Sequence, residues 1–158
     1  MIDIVDTQTR SRMMSGIRSK NTKPEIIVRK FLHANGFRYR LHDKKLPGRP
    51  DIVLPKYNLA IFVHGCFWHR HTGCRLVSQP NQNQQKWEEK FKQNIDRDKK
   101  HIAALSSAGW RILIIWECGL RKANPDLLWL PEFVKGHQKL SEWPCINGEK
   151  EAEAPFLI

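Results

Sequence analysis

Asp51-Ile52-Val53-Leu54-Pro55-Lys56-Tyr57-Asn58-Leu59-Ala60-Ile61-Phe62-Val63 reads as two short apolar runs joined by a turn containing proline and asparagine. Each run has the composition of a buried strand, and their separation is that of a hairpin. The second run leads into His64-Gly65-Cys66-Phe67-Trp68-His69-Arg70-His71-Thr72-Gly73-Cys74. That segment holds three of the chain's seven histidines and two of its four cysteines. Packing alone rarely gathers so many metal-capable and aromatic side chains.

On the N-terminal side, Thr22-Lys23-Pro24-Glu25 opens a helix, with Thr22 as the N-cap, Pro24 in the first turn and Glu25 at the capping-box position. Ile27, Phe31 and Leu32 mark its buried face, and Asn35-Gly36 ends it. The alternation from Phe37 to Leu41 predicts a further strand, followed by the basic, rigid loop Lys44 to Pro50. On the C-terminal side, a long helix is predicted from Gln84 to Ala108, with Trp87, Phe91, Ile95, Ile102 and Leu105 along one stripe and Gly109 as its stop. Trp110 to Trp116 is the strongest strand in the chain. A last helix, Asp126 to Gly136, precedes a tail without a clear pattern. This order predicts an α/β fold with a central mixed β-sheet flanked by helices.

A chain of 158 residues with 41% hydrophobic content fits one domain over 1–158, comprising a basic segment at 1–21 and a C-terminal helix and tail at 119–158. Met13, Met14 and Ile17 give the first segment helical spacing, with a frayed terminus as the alternative. No apolar run has the length of a membrane span, and no secretory signal opens the chain, so a cytoplasmic location and no membrane partner are expected. In a reducing compartment, cysteines serve as ligands or free thiols rather than disulfides. The net charge of +11 is uneven: residues 1–50 carry 12 Lys/Arg against 4 Asp/Glu, and residues 119–158 carry 5 against 6. A polyanionic partner on one side of the molecule accounts for this, as does a merely basic surface.

Cys66, His71 and Cys74, with Cys118 after the strongest strand, supply a tetrahedral set of soft ligands suited to a structural Zn²⁺. Free thiols beside an unrelated histidine are the alternative, and Cys145 reads as a free thiol. Asp51 heads a buried strand, where aspartate is poor β material, and the hairpin brings it towards His64 and His69. A carboxylate beside imidazoles supports Mg²⁺-assisted hydrolysis. The same histidines also suit a supporting role around the zinc loop. Glu25 is explained by its cap and is available to a metal-bound water. Phe67 and Trp68 cannot both be core by periodicity, and in a basic protein they suit stacking or wedging against bases. Trp87 belongs either with them or with the core. Lys90, Asn94 and Arg97 share a helical face suited to phosphates or base edges, or simply to solvent.

Leu46-Pro47-Gly48-Arg49-Pro50-Asp51, His64-Gly65-Cys66-Phe67-Trp68-His69, Asn94-x-x-Arg97-Asp98, Gly109-Trp110-Arg111 and Trp116-Glu117-Cys118, in this order, resemble the very-short-patch-repair (Vsr) DNA mismatch endonucleases. The resemblance runs from about Thr9 to Cys118. It implies a restriction-endonuclease-like fold and a Mg²⁺-dependent nick 5′ to the thymine of a T·G mismatch, the lesion left by deamination of 5-methylcytosine. By the same resemblance Asp51 is a Mg²⁺ ligand, joined by the backbone carbonyl of Val63. His69 is the general base, assisted by His64 and Glu25. Cys66, His71, Cys74 and Cys118 hold zinc. Phe67, Trp68 and Trp87 form the wedge, Met14 enters from the minor-groove side, and Lys90 and Asn94 touch the mismatch or its phosphates. Double-stranded DNA is the implied partner of a monomer, and a mismatch-repair protein or a cytosine methyltransferase is a candidate partner too.

Three departures bear on these expectations. Val63 and Gly65 stand where related nucleases of this fold carry an acidic residue and a lysine. The usual His-x-Cys pair appears as His71-Thr72-Gly73-Cys74, one residue longer. Residues after Cys118 carry no recognisable motif. A reading of another class, a zinc-stabilised module that binds distorted duplex without cutting it, has no use for Asp51 beside His69.

Overall fold

The computed structural model describes residues 20–145 and Gln8. Helix α1 (Lys23–Ala34) leads to the short strand β1 (Arg40–Leu41), and β2 (Ile52–Leu54) and β3 (Leu59–His64) form the hairpin. A one-turn helix α2 (Cys66–His69) and the long helix α3 (Gln84–Ser107) precede β4 (Arg111–Trp116). Helix α4 (Leu130–Lys135) and β5 (Leu140–Trp143) complete the described chain. The five strands lie in sequence order. The β1–β2 and β2–β3 pairs are antiparallel, whereas β3–β4 and β4–β5 are parallel, so the sheet is mixed.

The two central strands are buried almost throughout, as expected where helices cover both faces of a parallel pair. Their alternating side chains build two cores. Leu59, Ile61, Leu113 and Ile115 face Val28 and Leu32 of α1 and Leu130, Phe133 and Val134 around α4. Ala60, Phe62, Ile112, Ile114 and Trp116 face Leu105 of α3 together with Cys66 and Cys74. Side-chain direction along a strand therefore assigns His64, two residues after Phe62, to the α3 side.

Three elements differ from expectation. The strand predicted from Phe37 to Leu41 shrinks to its last two residues. Phe37 is instead drawn under α1, its amide bonded to the Leu32 carbonyl, and its ring is buried. The helix predicted from Asp126 begins only at Leu130, because the Asp126 side chain accepts from the Leu128 amide and holds a turn. The tail is not patternless, since Leu140–Trp143 adds β5 beside β4. Its half-exposed alternation carries little apolar signal. Gly119 marks how tightly this addition packs: a Cβ there would lie 2.5 Å from the Trp143 ring.

Arg111 ties the sheet to α4. Its guanidinium, nearly buried, donates to the carbonyls of Phe133 (2.6 Å) and Val134 (2.9 Å) at the end of α4, and to those of Gln138 (2.9 Å) and Tyr57 (3.3 Å). The last carbonyls of a helix lack intrahelical donors, so this one side chain supplies a donor to Val134 and a second one to Phe133, which also accepts from the Gly136 amide. Arg111→Met should therefore lower the free energy of unfolding by about 3 kcal/mol in urea titration, a loss that a surface arginine would not show.

Candidate active site and metal cluster

The parallel pairing of His64 with Trp116 places the ends of β3 and β4 side by side, and the chain that follows each strand is then cross-linked. The Glu117 carboxylate accepts from the Cys66 amide at 3.0 Å, capping the start of α2. Cys118, one residue on, joins Cys66, His71 and Cys74 in a cluster whose ligand atoms all lie within 4.8 Å of one another. His71 Nδ1 is 3.7 Å from Cys66 Sγ and 3.5 Å from Cys118 Sγ. A tetrahedral ion with zinc-like bond lengths separates nitrogen and sulfur by about 3.6 Å. The cluster can therefore hold a metal ion. The extra residue before Cys74 is absorbed by a turn, in which Gly73 takes φ 76° and the Cys74 amide bonds to the His71 carbonyl. Burial foremost pushes the Cys66 and Cys118 thiols upward, and burial lowers His71, keeping it neutral. Uncharged donors packed this closely are chemically suited to a cation that converts the thiols to thiolates.

An open groove of about 1000 Å³ lies across the same end of the sheet, and two groups of titratable residues face it. In the first, Glu25, His42 and Asp51 come together. Glu25 is buried, and its Oε2 accepts from the Asn21 amide (3.0 Å) and Arg29 (2.9 Å), with His42 Nε2 at 3.0 Å. The capping box is thus displaced by one residue, since Thr22 Oγ1 accepts from the Glu25 amide but Glu25 reaches back to Asn21. Asp51 Oδ2 accepts from the Val63 amide at 2.7 Å. Burial, with the Glu25 charge adding to it and the Val63 bond opposing, raises Asp51 to about 7.

In the second group His64, His69 and Asp98 meet. The two imidazoles stack with centroids 3.8 Å apart and planes 4° from parallel. His69 Nδ1 lies 2.6 Å from Asp98 Oδ2. Burial, reinforced by His69, lowers His64 to about 3. Burial alone would raise Asp98, but the hydrogen bond and charge of His69 outweigh it and hold the carboxyl below its ordinary value. The hairpin delivers Asp51 to the end of β3 as expected, yet Asp51's immediate partners are Glu25 and His42, while both expected histidines turn to Asp98.

Beside the groove, Phe67 and Trp68 of α2 meet Trp87 and Phe91 of α3 in one aromatic cluster, with ring centroids 5.1–5.9 Å apart. Lys90 lies over Trp68 (5.2 Å) and Trp87 (5.6 Å), and Arg70 stacks on Phe91 at 4.0 Å. Asn94 donates to the Trp68 carbonyl at 3.2 Å, fixing α2 on α3. Trp87 therefore sides with Phe67 and Trp68, all three half-buried. Met14 lies outside the described residues, as do the other residues before Lys20 apart from Gln8.

Residues 2–75 match the family described as DNA mismatch endonuclease Vsr. Over 151 residues the chain is 39% identical to the DNA mismatch endonuclease Vsr of Escherichia coli K12, covering 94% of this chain and 91% of the relative. The chain belongs to the Vsr DNA mismatch endonuclease family. It is 48% identical over 120 residues to the type II nicking enzyme V.XorIIP of Xanthomonas oryzae pv. oryzae, covering 76% of this chain and 88% of the relative. To V.NmeAIP of Neisseria meningitidis serogroup A it is 47% identical over 121 residues (77% and 86%). Membership in the Vsr family makes the mixed sheet with its flanking helices a restriction-endonuclease-like fold.

Sequence reasoning missed His42, which lies in a loop and reaches the carboxylates only because its own backbone is left-handed (φ 46°) and its amide bonds to the Asp51 carbonyl. Asp98 had a signal, since it follows Arg97 in a quoted motif, but no role. Cys118→Ser removes one of the four donors and should leave the purified protein with clearly substoichiometric cluster metal by elemental analysis. Full metal content would exclude Cys118 as a ligand.

Proposed function

We propose that this chain nicks one strand of double-stranded DNA 5′ to the thymine of a T·G mismatch, using Mg²⁺ at Asp51 and a proton acceptor at His69. The observation that carries this reading is the groove itself. It brings a carboxylate pocket and a carboxylate-bound imidazole to one face, directly beside a cluster of half-buried aromatics and cations.

Asp51 fits a divalent cation because its half-buried carboxyl lies beside a second carboxyl, with only part of that charge met by Arg29. A strand residue directs its N–H and C=O to the same edge, so the Val63 carbonyl faces the side on which its amide meets Asp51. Asp51 and that carbonyl would hold Mg²⁺, with Glu25 and His42 next to them. Bound there, the ion would neutralise charge developing on the phosphate. The bond to Asp98 assigns the His69 proton to Nδ1, which leaves Nε2 to accept a proton from the attacking water. His64 stays neutral, so a protonated His69 meets no second positive charge across the 3.8 Å stack.

The Cys66, His71, Cys74 and Cys118 cluster fits Zn²⁺ by ligand type and serves as a structural staple. Phe67, Trp68 and Trp87 act as the wedge that opens the base stack, with Lys90 supplying charge to the phosphates. Asn94 holds the wedge through Trp68 and, on the family resemblance, is assigned with Lys90 to the mismatch or its phosphates. Met14 is assigned the minor-groove side on the family resemblance.

Asp51→Ala should abolish nicking of a T·G duplex in Mg²⁺ while leaving affinity for that duplex within about twofold; retained turnover would remove Asp51 from the cation site. Replacing both Phe67 and Trp68 by alanine should weaken mismatch binding by about tenfold or more, the wedge having lost stacking energy of at least about 1 kcal/mol per base. Equal affinity of the double variant would return both rings to packing.

A further inference from the structure

The metal cluster and the histidine pair are separate groups of ligands, but one ring stands between them. His71, a cluster residue, lies flat on Trp116, with centroids 4.2 Å apart and planes 8° from parallel. The Trp116 ring in turn meets His64 edge-on at 5.2 Å and 70°. His64 is stacked on His69, and His69 is bonded to Asp98. Four rings thus run without a gap from the cluster to the proposed base.

Two further observations give this ladder a purpose. The Nδ1 of His64 is buried with no hydrogen-bond partner among the described residues, so nothing at that atom sets the ring's orientation. Its plane is set by its neighbours, namely the Trp116 edge on one side, the His69 face on another and Phe62 at 5.6 Å. Trp116 is itself well fixed. It is buried on β4, and its Nε1 donates to Glu142 Oε2 on β5 at 3.2 Å. The strand missing from the sequence reading therefore holds the indole that the histidines lean on.

We propose that Trp116 is a positioning residue for the nicking reaction. It sets the plane of His64, and through it that of His69, and it ties both to the metal-bearing His71. This rests on the reading of His69 as the proton acceptor. The ladder also explains why the staple sits where it does. A cluster that only stabilised a loop has no need of stacked contact with a ring that touches the catalytic pair.

The test is a double-mutant cycle on the full chain, measuring kcat and KM for a T·G duplex together with bound metal. Trp116→Leu removes both ring contacts, and misplacement of a reacting group costs up to about a hundredfold in rate. The expected result is a kcat about tenfold to a hundredfold lower, with KM and metal content unchanged, and most of the rate restored in Trp116→Phe. In a His69→Ala background, whose slow residual rate is read by single turnover, Trp116→Leu should have no further effect. Equal losses in both backgrounds, an unchanged kcat, a loss that tracks loss of metal, or a Trp116→Phe variant as slow as Trp116→Leu would each overturn the proposal. If Trp116→Leu does not fold, Glu142→Leu releases the indole from outside the core. A fall in kcat confined to the His69 background supports the proposal, and no fall overturns it. Full activity of His69→Ala alone would instead refute the reading of His69 as base, whatever Trp116 does.

Discussion

Everything at the groove depends on the parallel pairing that sets His64 opposite Trp116. Parallel strands end at the same edge of a sheet, and in open α/β sheets the crevice beyond those ends is where ligands gather. Here the pairing does more than open a crevice. It puts Trp116-Glu117-Cys118 alongside the segment that begins at His64, and each of the three takes hold of it differently. Trp116 stacks on His71 and abuts His64, Glu117 caps the helix that carries Phe67 and Trp68, and Cys118 closes the Cys/His cluster. A segment with so little core of its own would otherwise have few reasons to keep one conformation.

The parallel connection also explains why α3 is long. A chain leaving β3 must cross the sheet to start β4 in the same direction, and a helix is the usual means. The 24 residues of α3 make that crossing while passing close to α2. One stripe gives Leu105 to the core and Phe91 and Trp87 to the aromatic cluster. Neighbouring positions give Asn94 to the Trp68 carbonyl and Asp98 to His69. A single crossover element thus supplies packing, support for the aromatic cluster and the partner of the proposed base, which is possible because positions three or four apart share a helix face.

What could be read in the sequence follows the same division. The hairpin, the long helix and β4 were legible because each carries a strong apolar period, and the Cys/His cluster because its residue types are distinctive. Much of the remainder depends on contacts between distant segments, which no local pattern records. Nothing in Leu140–Trp143 announces that β4 needs a fifth strand beside it, or that Glu142 will receive the Trp116 indole. His42 looks like an ordinary loop residue until its left-handed backbone turns it towards Glu25 and Asp51. Asp126 offered helical context, but its side chain bonds locally and delays the start of the helix to Leu130. The expected meeting of Asp51 with His64 and His69 was right about the edge of the sheet. What it could not anticipate is the long-range pairing, in which His69 bonds Asp98 of α3 and His42 joins Glu25 beside Asp51.

That separation into two groups has an electrostatic use. On one side of the β3 end, burial raises Asp51 towards neutrality, and on the other it removes the charge from His64. Cations from the surrounding chain, among them Lys20, Arg49, Arg97 and Arg121, line the same groove. These peripheral residues are placed to attract a polyanion, while at the centre the carboxylates of Glu25 and Asp98 are bonded to Arg29 and His69. An ionised pair of central carboxylates would repel a phosphate, and a charged pair of imidazoles would compete with a metal ion. Burial thus opposes a second negative charge at Asp51 beside Glu25 and a second positive charge at His64 beside His69. A cation held by Asp51 would displace its proton, so cation binding in such a pocket would be coupled to proton release.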